Sequence, residues 1–119
     1  METRIAIDRP LVTLINVFTV DPANQQRLVE VLTEATEQVM RTLPGFVSAN
    51  IHRSLDGTRV ANYAQWRSKA DLEAVYANPS VAPHMQKCTE LATYDAHVYE
   101  VVHVDKRPEP VAAAAGGGM

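Results

Sequence analysis

The sequence predicts an α+β fold in the order β-α-β-β-α-β, and three observations carry that prediction. Runs rich in β-branched and aromatic residues recur along the chain, a long amphipathic run separates the first two of them, and Pro and Gly punctuate the joints. Residues 11–20 (LVTLINVFTV) are apolar on both faces except at Asn16 and the threonines, as in a strand covered on both sides. Asp21-Pro22 then supplies a helix N-cap followed by proline at the first helical position. Leu28, Leu32, Ala35, Val39 and Leu43 follow at spacings of four and three, which predicts a long helix ended by Pro44-Gly45.

Residues 46–55 and 58–66 read as two strands around Asp56-Gly57, a strong hairpin signal. Two registers fit. A two-residue loop pairs Ile51 with Asn62, whereas a three-residue loop with a glycine bulge pairs Asn50 with Asn62 and brings His52 to the face of Asn62 and Trp66. From Ser68 a second helical region is broken at Asn78-Pro79 and Pro83, which predicts two short helices. Residues 94–104 (YDAHVYEVVHV) alternate, with Val98, Val102 and Val104 on one side and His97, Tyr99 and His103 on the other, and predict the fourth strand. Right-handed crossovers close this order into a four-stranded antiparallel sheet with helices on one face, a ferredoxin-like fold. The strands are apolar on both sides, so the bare face is expected to pack on a second copy in a C2 homodimer.

The 119 residues suffice for one domain, taken here as residues 11–107 behind an N-terminal extension (1–10) and before a low-complexity tail (108–119, PEPVAAAAGGGM) expected to be mobile. Hydrophobic residues at 46% and charged residues at 21% predict a packed core. A net charge of −3 provides no positive field for nucleic acid or anionic lipid. No apolar run reaches the roughly 18 residues of a membrane span, and no signal-peptide pattern opens the chain. With one cysteine, Cys88, the expectation is a soluble protein of the reducing cytoplasm. No glycine-rich dinucleotide motif, Walker loop or zinc-ligand spacing occurs. His97 and His103, six apart on a strand, would lie roughly 20 Å apart, too far to share a metal.

The third strand ends VANYAQW (60–66), preceded by Pro44-Gly45-Phe46, the PGF-x-S-A segment and the Asp56-Gly57 turn. Together these motifs resemble the antibiotic biosynthesis monooxygenase family, and within it the small anthrone-oxidising enzymes of aromatic polyketide pathways. The resemblance covers residues 11–104. It implies a dimeric ferredoxin-like α/β barrel, a pocket between sheet and helices, and oxygenation without bound metal, haem or flavin.

An anthrone methylene, once deprotonated, gives an electron-rich phenolate able to reduce dioxygen directly. The protein then needs to supply a flat apolar cavity, a base, and donors where negative charge gathers. Asn62 and Trp66, four apart on one strand, share a face and offer an amide and an indole N–H beside an aromatic surface. Each also has a structural reading, Trp66 as a core anchor and Asn62 as a buried amide with a partner. His84 and His52 are the candidate bases; His84 also suits a solvent-facing helix site. Asn16 and Phe18 of the first strand, with Tyr76, Leu72 and Met85 of the second helical region, are the candidate substrate-binding residues, although Tyr76 also fits a core position. Leu72 and Met85 stand where the resemblance would align a tyrosine and an arginine of the best-known anthrone oxygenases. Asn16 and His84 resemble positions of the haem-degrading relatives, whose helix tryptophan is absent: Val75 and Tyr76 occupy that region. Cys88 reads as a packed helix residue rather than a nucleophile.

The leading reading is thus a cofactor-independent monooxygenase making a quinone from a polycyclic phenolic substrate and dioxygen. Haem degradation, oxygenation with externally supplied reduced flavin, and a non-catalytic dimeric module that binds an aromatic metabolite are the alternatives.

Overall fold

A computed structural model describes residues 2–108. Residues 109–119, nearly all of the expected tail, lie outside the described residues. The elements follow the expected order: β1 (Val12–Val20), α1 (Gln25–Gln38), β2 (Phe46–Arg53), β3 (Arg59–Trp66), α2 (Lys69–Tyr76), α3 (Ala82–Leu91) and β4 (Ala92–Tyr99). All neighbouring strands are antiparallel, in the order β2-β3-β1-β4. The three helices cover one face of this ferredoxin-like sheet. Among the described residues no helix is long and apolar enough to cross a membrane.

Local chemistry explains where the elements begin and stop. Asp21 accepts a bond from Ala23 N–H (2.9 Å) and starts a 3-10 turn, Pro22–Asn24, ahead of α1. The helix is shorter than its apolar periodicity suggests. It ends at Gln38, and a second 3-10 turn, Met40–Thr42, carries the chain to an extended Leu43. Two short helices replace one long one after β3, as the prolines require.

The fourth strand stops five residues earlier than its alternation predicts. Thr13 pairs with Tyr99, so residues beyond Glu100 would face Leu11 and Pro10, where β1 has not begun and proline offers no N–H. His103 therefore lies beyond the strand. Alternation continued past the point where a partner was available.

The hairpin adopts the Ile51–Asn62 register. Its turn is not the two-residue loop that register implied: Gly57 N–H bonds Ser54 O (3.2 Å), Ser54 N–H bonds Arg59 O (3.0 Å), and Gly57 sits at φ +82°. Asp56 Oδ1 accepts from Ser54 Oγ, Thr58 N–H and Thr58 Oγ1 at 2.7–3.0 Å. These bonds, led by that from Thr58, hold its carboxyl at a pKa of about 2.

A bulge at Val47 resets the alternation of β2, so that Phe46 faces the helices opposite Trp66 while Ser48 faces away opposite Gln65. Phe46 meets Trp66 edge to face at 5.4 Å. The outer face of the sheet is crossed by the N-terminal residues. Thr3 Oγ1 donates to Asn50 Oδ1 (2.6 Å), and buried Gln65 donates to Arg4 O (2.7 Å) while accepting from Ser48 (2.9 Å).

Gly45, at φ +84°, is the tightest joint. Its carbonyl accepts from Arg67 N–H (2.7 Å), and a Cβ there would lie 2.5 Å from the Asp71 side chain. Asp71 in turn takes a bidentate bond from Arg67 (2.8 and 2.9 Å) and closes the Ser68 cap of α2. Gly45→Ala combines a left-handed backbone with overpacking and is expected to cost about 2–4 kcal/mol in urea unfolding. Asp56 supplies a pH test. Because its folded pKa lies below the ordinary 3.8, its contribution is present above about pH 4 and is lost as the pH falls toward about 2. Asp56→Asn should flatten the acid limb of the stability curve across that interval.

Candidate active site

The sheet dictates the site. On the helix-facing side of β1, Leu14, Asn16 and Phe18 point inward in turn, and on β3 Val60, Asn62, Ala64 and Trp66 do the same. Register sets Asn16 directly opposite Asn62, with Phe18 opposite Val60 on one side and Leu14 opposite Ala64 on the other. The two amides form a polar rung across an apolar face.

This rung falls between two halves of the core. Phe18, Val20 and Val60 pack with Leu28, Val31, Leu32 and Cys88 of the helices, whereas Ala64 and Trp66 pack with Leu72, Val75 and Val81. Between the halves lies a cavity of about 70 Å³ walled by sheet, α1, α2 and α3. Its lining is mostly apolar, with Asn16, Asn62, Trp66, Thr36, Tyr76 and His84 as polar interruptions.

Three buried polar atoms at this cavity lack a hydrogen-bond partner: Asn16 Oδ1, Asn62 Oδ1 and Trp66 Nε1. Leaving one such group unpaired costs about 1–3 kcal/mol, so three in one place amount to a substantial sacrifice of stability. A carboxamide can present its N–H or its oxygen by rotation, and an indole N–H only donates. The site thus offers hydrogen-bonding atoms to polar groups of an otherwise apolar guest.

Of the residues singled out by sequence, Asn16, Phe18, Asn62, Trp66, Leu72, Tyr76, His84 and Met85 all line this cavity. His84, half-buried, enters from the first turn of α3. His52 does not join them. The Ile51–Asn62 register turns it to the outer face opposite Ala61, where its Nδ1 lies 3.1 Å from Asn50 O, so the expectation that His52 serves as a base is corrected. Tyr76 is not a core residue: it stands 59% exposed at the rim, and burial of its phenol, with the charge of Tyr94 second, pushes its pKa above the ordinary range. Cys88 lines the inner wall, and burial pushes its thiol up to about 11, which keeps it protonated and poorly nucleophilic.

Sequence reasoning missed the α1 wall (Leu32, Ala35, Thr36), Met40 and the Phe46–Ala49 side. The stripe of α1 was visible, but which of its residues meet the core and which meet a void depends on the polar rung opposite. Met40 carried no signal, since it comes from the 3-10 turn that replaces the expected last helical turn. Among the described residues no three His, Cys, Asp or Glu side chains gather as metal ligands.

Residues 11–90 match the antibiotic biosynthesis monooxygenase family. The chain is 46% identical over 93 residues to the tetracenomycin-F1 monooxygenase of Streptomyces glaucescens, covering 78% of this chain and 83% of that protein. A monooxygenase from the gene ActVA-Orf6 of Streptomyces coelicolor, solved in complex with nanaomycin D, superposes with a TM-score of 0.73 at 32% identity, over 82% of this chain and 92% of that one. SnoaB of Streptomyces nogalater, described as a cofactor-independent oxygenase, shares the fold with a TM-score of 0.68 at 24% identity, over 80% of this chain and 96% of that one. The chain is a monooxygenase and belongs to the antibiotic biosynthesis monooxygenase family.

Proposed function

We propose that the protein oxidises a flat polycyclic phenol of the anthrone type to a quinone with dioxygen and without a bound cofactor. One observation carries the reading: two amide oxygens and an indole N–H, buried and unpartnered, face one apolar cavity between sheet and helices. The relatives add support, since one is named as a monooxygenase of tetracenomycin F1 and SnoaB is described as a cofactor-independent oxygenase.

His84 takes a proton from the methylene, and the resulting phenolate is held by donors from Asn62 and Trp66. The carbanionic substrate reduces dioxygen by one electron, and the two radicals combine into a peroxide anion, which takes the proton held by His84 to become a hydroperoxide. The second methylene hydrogen then leaves carbon as a proton while the O–O bond breaks, so that one oxygen stays as the new carbonyl. The other departs as water. The substrate supplies every electron, so the protein contributes shape, a base and fixed dipoles. Asn16 and Phe18 orient the ring system from β1, while Leu72, Tyr76 and Met85 confine it from the helices.

The working unit in this reading is a homodimer. Helices cover one face of the sheet only, and on the other Val17 and Tyr99 are exposed at 36% and 46%, with Val102 and Val104 also exposed in the segment that follows β4. The cytoplasm is the compartment that suits a single reduced, buried Cys88.

Asn62→Ala and Trp66→Phe should each lower turnover by roughly 10- to 1,000-fold in an oxygen-uptake assay with an anthrone and metal- and flavin-free protein. Melting temperature in Asn62→Ala should hold or rise, because an unsatisfied buried amide is removed. Unchanged turnover in both variants would move the chemistry elsewhere. Turnover in the same assay should fall by roughly 100-fold or more in His84→Ala and hold within about twofold in His52→Ala. Sedimentation should give about twice the chain mass of 13.1 kDa; a monomer at micromolar concentration would refute the dimer.

A further inference from the structure

The inner cavity has a neighbour across its rim. A second and larger opening of about 400 Å³ lies between α2, α3 and β4, and it shares Tyr76, Val81 and Met85 with the inner room. Tyr94 of β4 stands on its far side, 49% exposed, with its ring tilted against Phe18 at 6.0 Å between centroids. Phe18 is almost wholly buried and belongs to the inner wall. The shared residues Tyr76, Val81 and Met85 therefore stand between the amide rung on one side and Tyr94 on the other.

We propose that this opening is a second subsite that holds the non-reacting end ring of the substrate, with Tyr76 and Tyr94 as residues that set selectivity for its length. The proposal rests on the reading of the reaction above and extends it to substrate class. Exposed tyrosines on a helix and a facing strand, both at one mouth, are unusual for a core and suited to gripping an aromatic edge or face. The remaining polar groups are neutral. Gln86 is exposed, and Thr89 donates its hydroxyl to Gln86 O (2.9 Å), leaving its own lone pairs to accept. Among the described residues no cationic side chain lines the opening, which argues for a hydroxyl- or carbonyl-bearing ring rather than a carboxylate.

The test compares two substrates: an unsubstituted three-ring anthrone, and a linear four-ring homologue hydroxylated on the ring remote from the reacting methylene. In Tyr94→Ala and in Tyr76→Ala, the ratio of kcat/KM for the four-ring over the three-ring compound should fall about 5- to 10-fold, the loss appearing in KM of the longer substrate. A ratio unchanged in both variants would overturn the subsite. If wild-type protein oxidises neither compound, the reaction reading fails and the subsite is judged by binding alone. Trp66 is the single tryptophan, so its fluorescence quenching by the four-ring quinone reads occupancy of the inner room. Binding weakened about 5-fold or more in the two variants supports the subsite, and equal affinity refutes it.

Discussion

The cross-strand pair Asn16–Asn62 is the constraint on which the rest of the molecule depends. At the centre of a sheet face a pair of apolar residues would let the two halves of the core merge, as Phe18 with Val60 and Leu14 with Ala64 do on either side. Two amides refuse that merger, because burying them against aliphatic side chains without partners is unfavourable. The helices therefore close around the rung instead of on it, and the space that remains is the cavity. Site and core are consequences of one register.

Trp66 completes the arrangement only because two irregularities bring it there. The bulge at Val47 turns Phe46 inward to brace the indole edge to face, and Gly45 lets the chain turn hard enough for its carbonyl to meet Arg67 directly after β3. The same glycine leaves room for Asp71, whose bonds to Arg67 and Ser68 start α2 at a fixed place. Leu72 and Val75 follow on that helix and face the indole as part of one cluster. A turn chosen by backbone chemistry thus reaches the wall of the site through four residues.

Much of this was legible in the sequence, and the failures have physical causes. Strand runs, helix breaks and the hairpin were visible because periodicity and turn chemistry are local. The face of Asn62 and Trp66 followed from a spacing of four on a strand, and that of Asn16 from its place between Leu14 and Phe18. His52 was undecidable, since a register shift of one residue reverses every side chain and Asp56-Gly57 admits more than one loop. The end of β4 was misread because alternation says nothing about whether a neighbouring strand is still present. Tyr76 looked like core by its spacing from Leu72, but the break at Asn78-Pro79 ends α2 immediately beyond it, so no helical turn follows to cover the ring.

The division of labour between sheet and helices explains how such a site can keep its chemistry while changing its guest. Asn16, Asn62 and Trp66 are held by ladders on both sides or by the central strand pair, where a displacement would disturb the whole register. Leu72, Tyr76, His84 and Met85 sit on α2 and α3, helices of eight and ten residues joined through Pro79 and held mainly by apolar packing. Apolar contacts are non-directional and tolerate exchange of shape at similar volume, whereas a donor aimed at an oxygen does not tolerate displacement. Leu72 and Met85 leave their part of the wall apolar and without charge. In the proposed reaction, selection among guests falls to the shape of that wall, while Asn62 and Trp66, assigned there as donors, remain on β3.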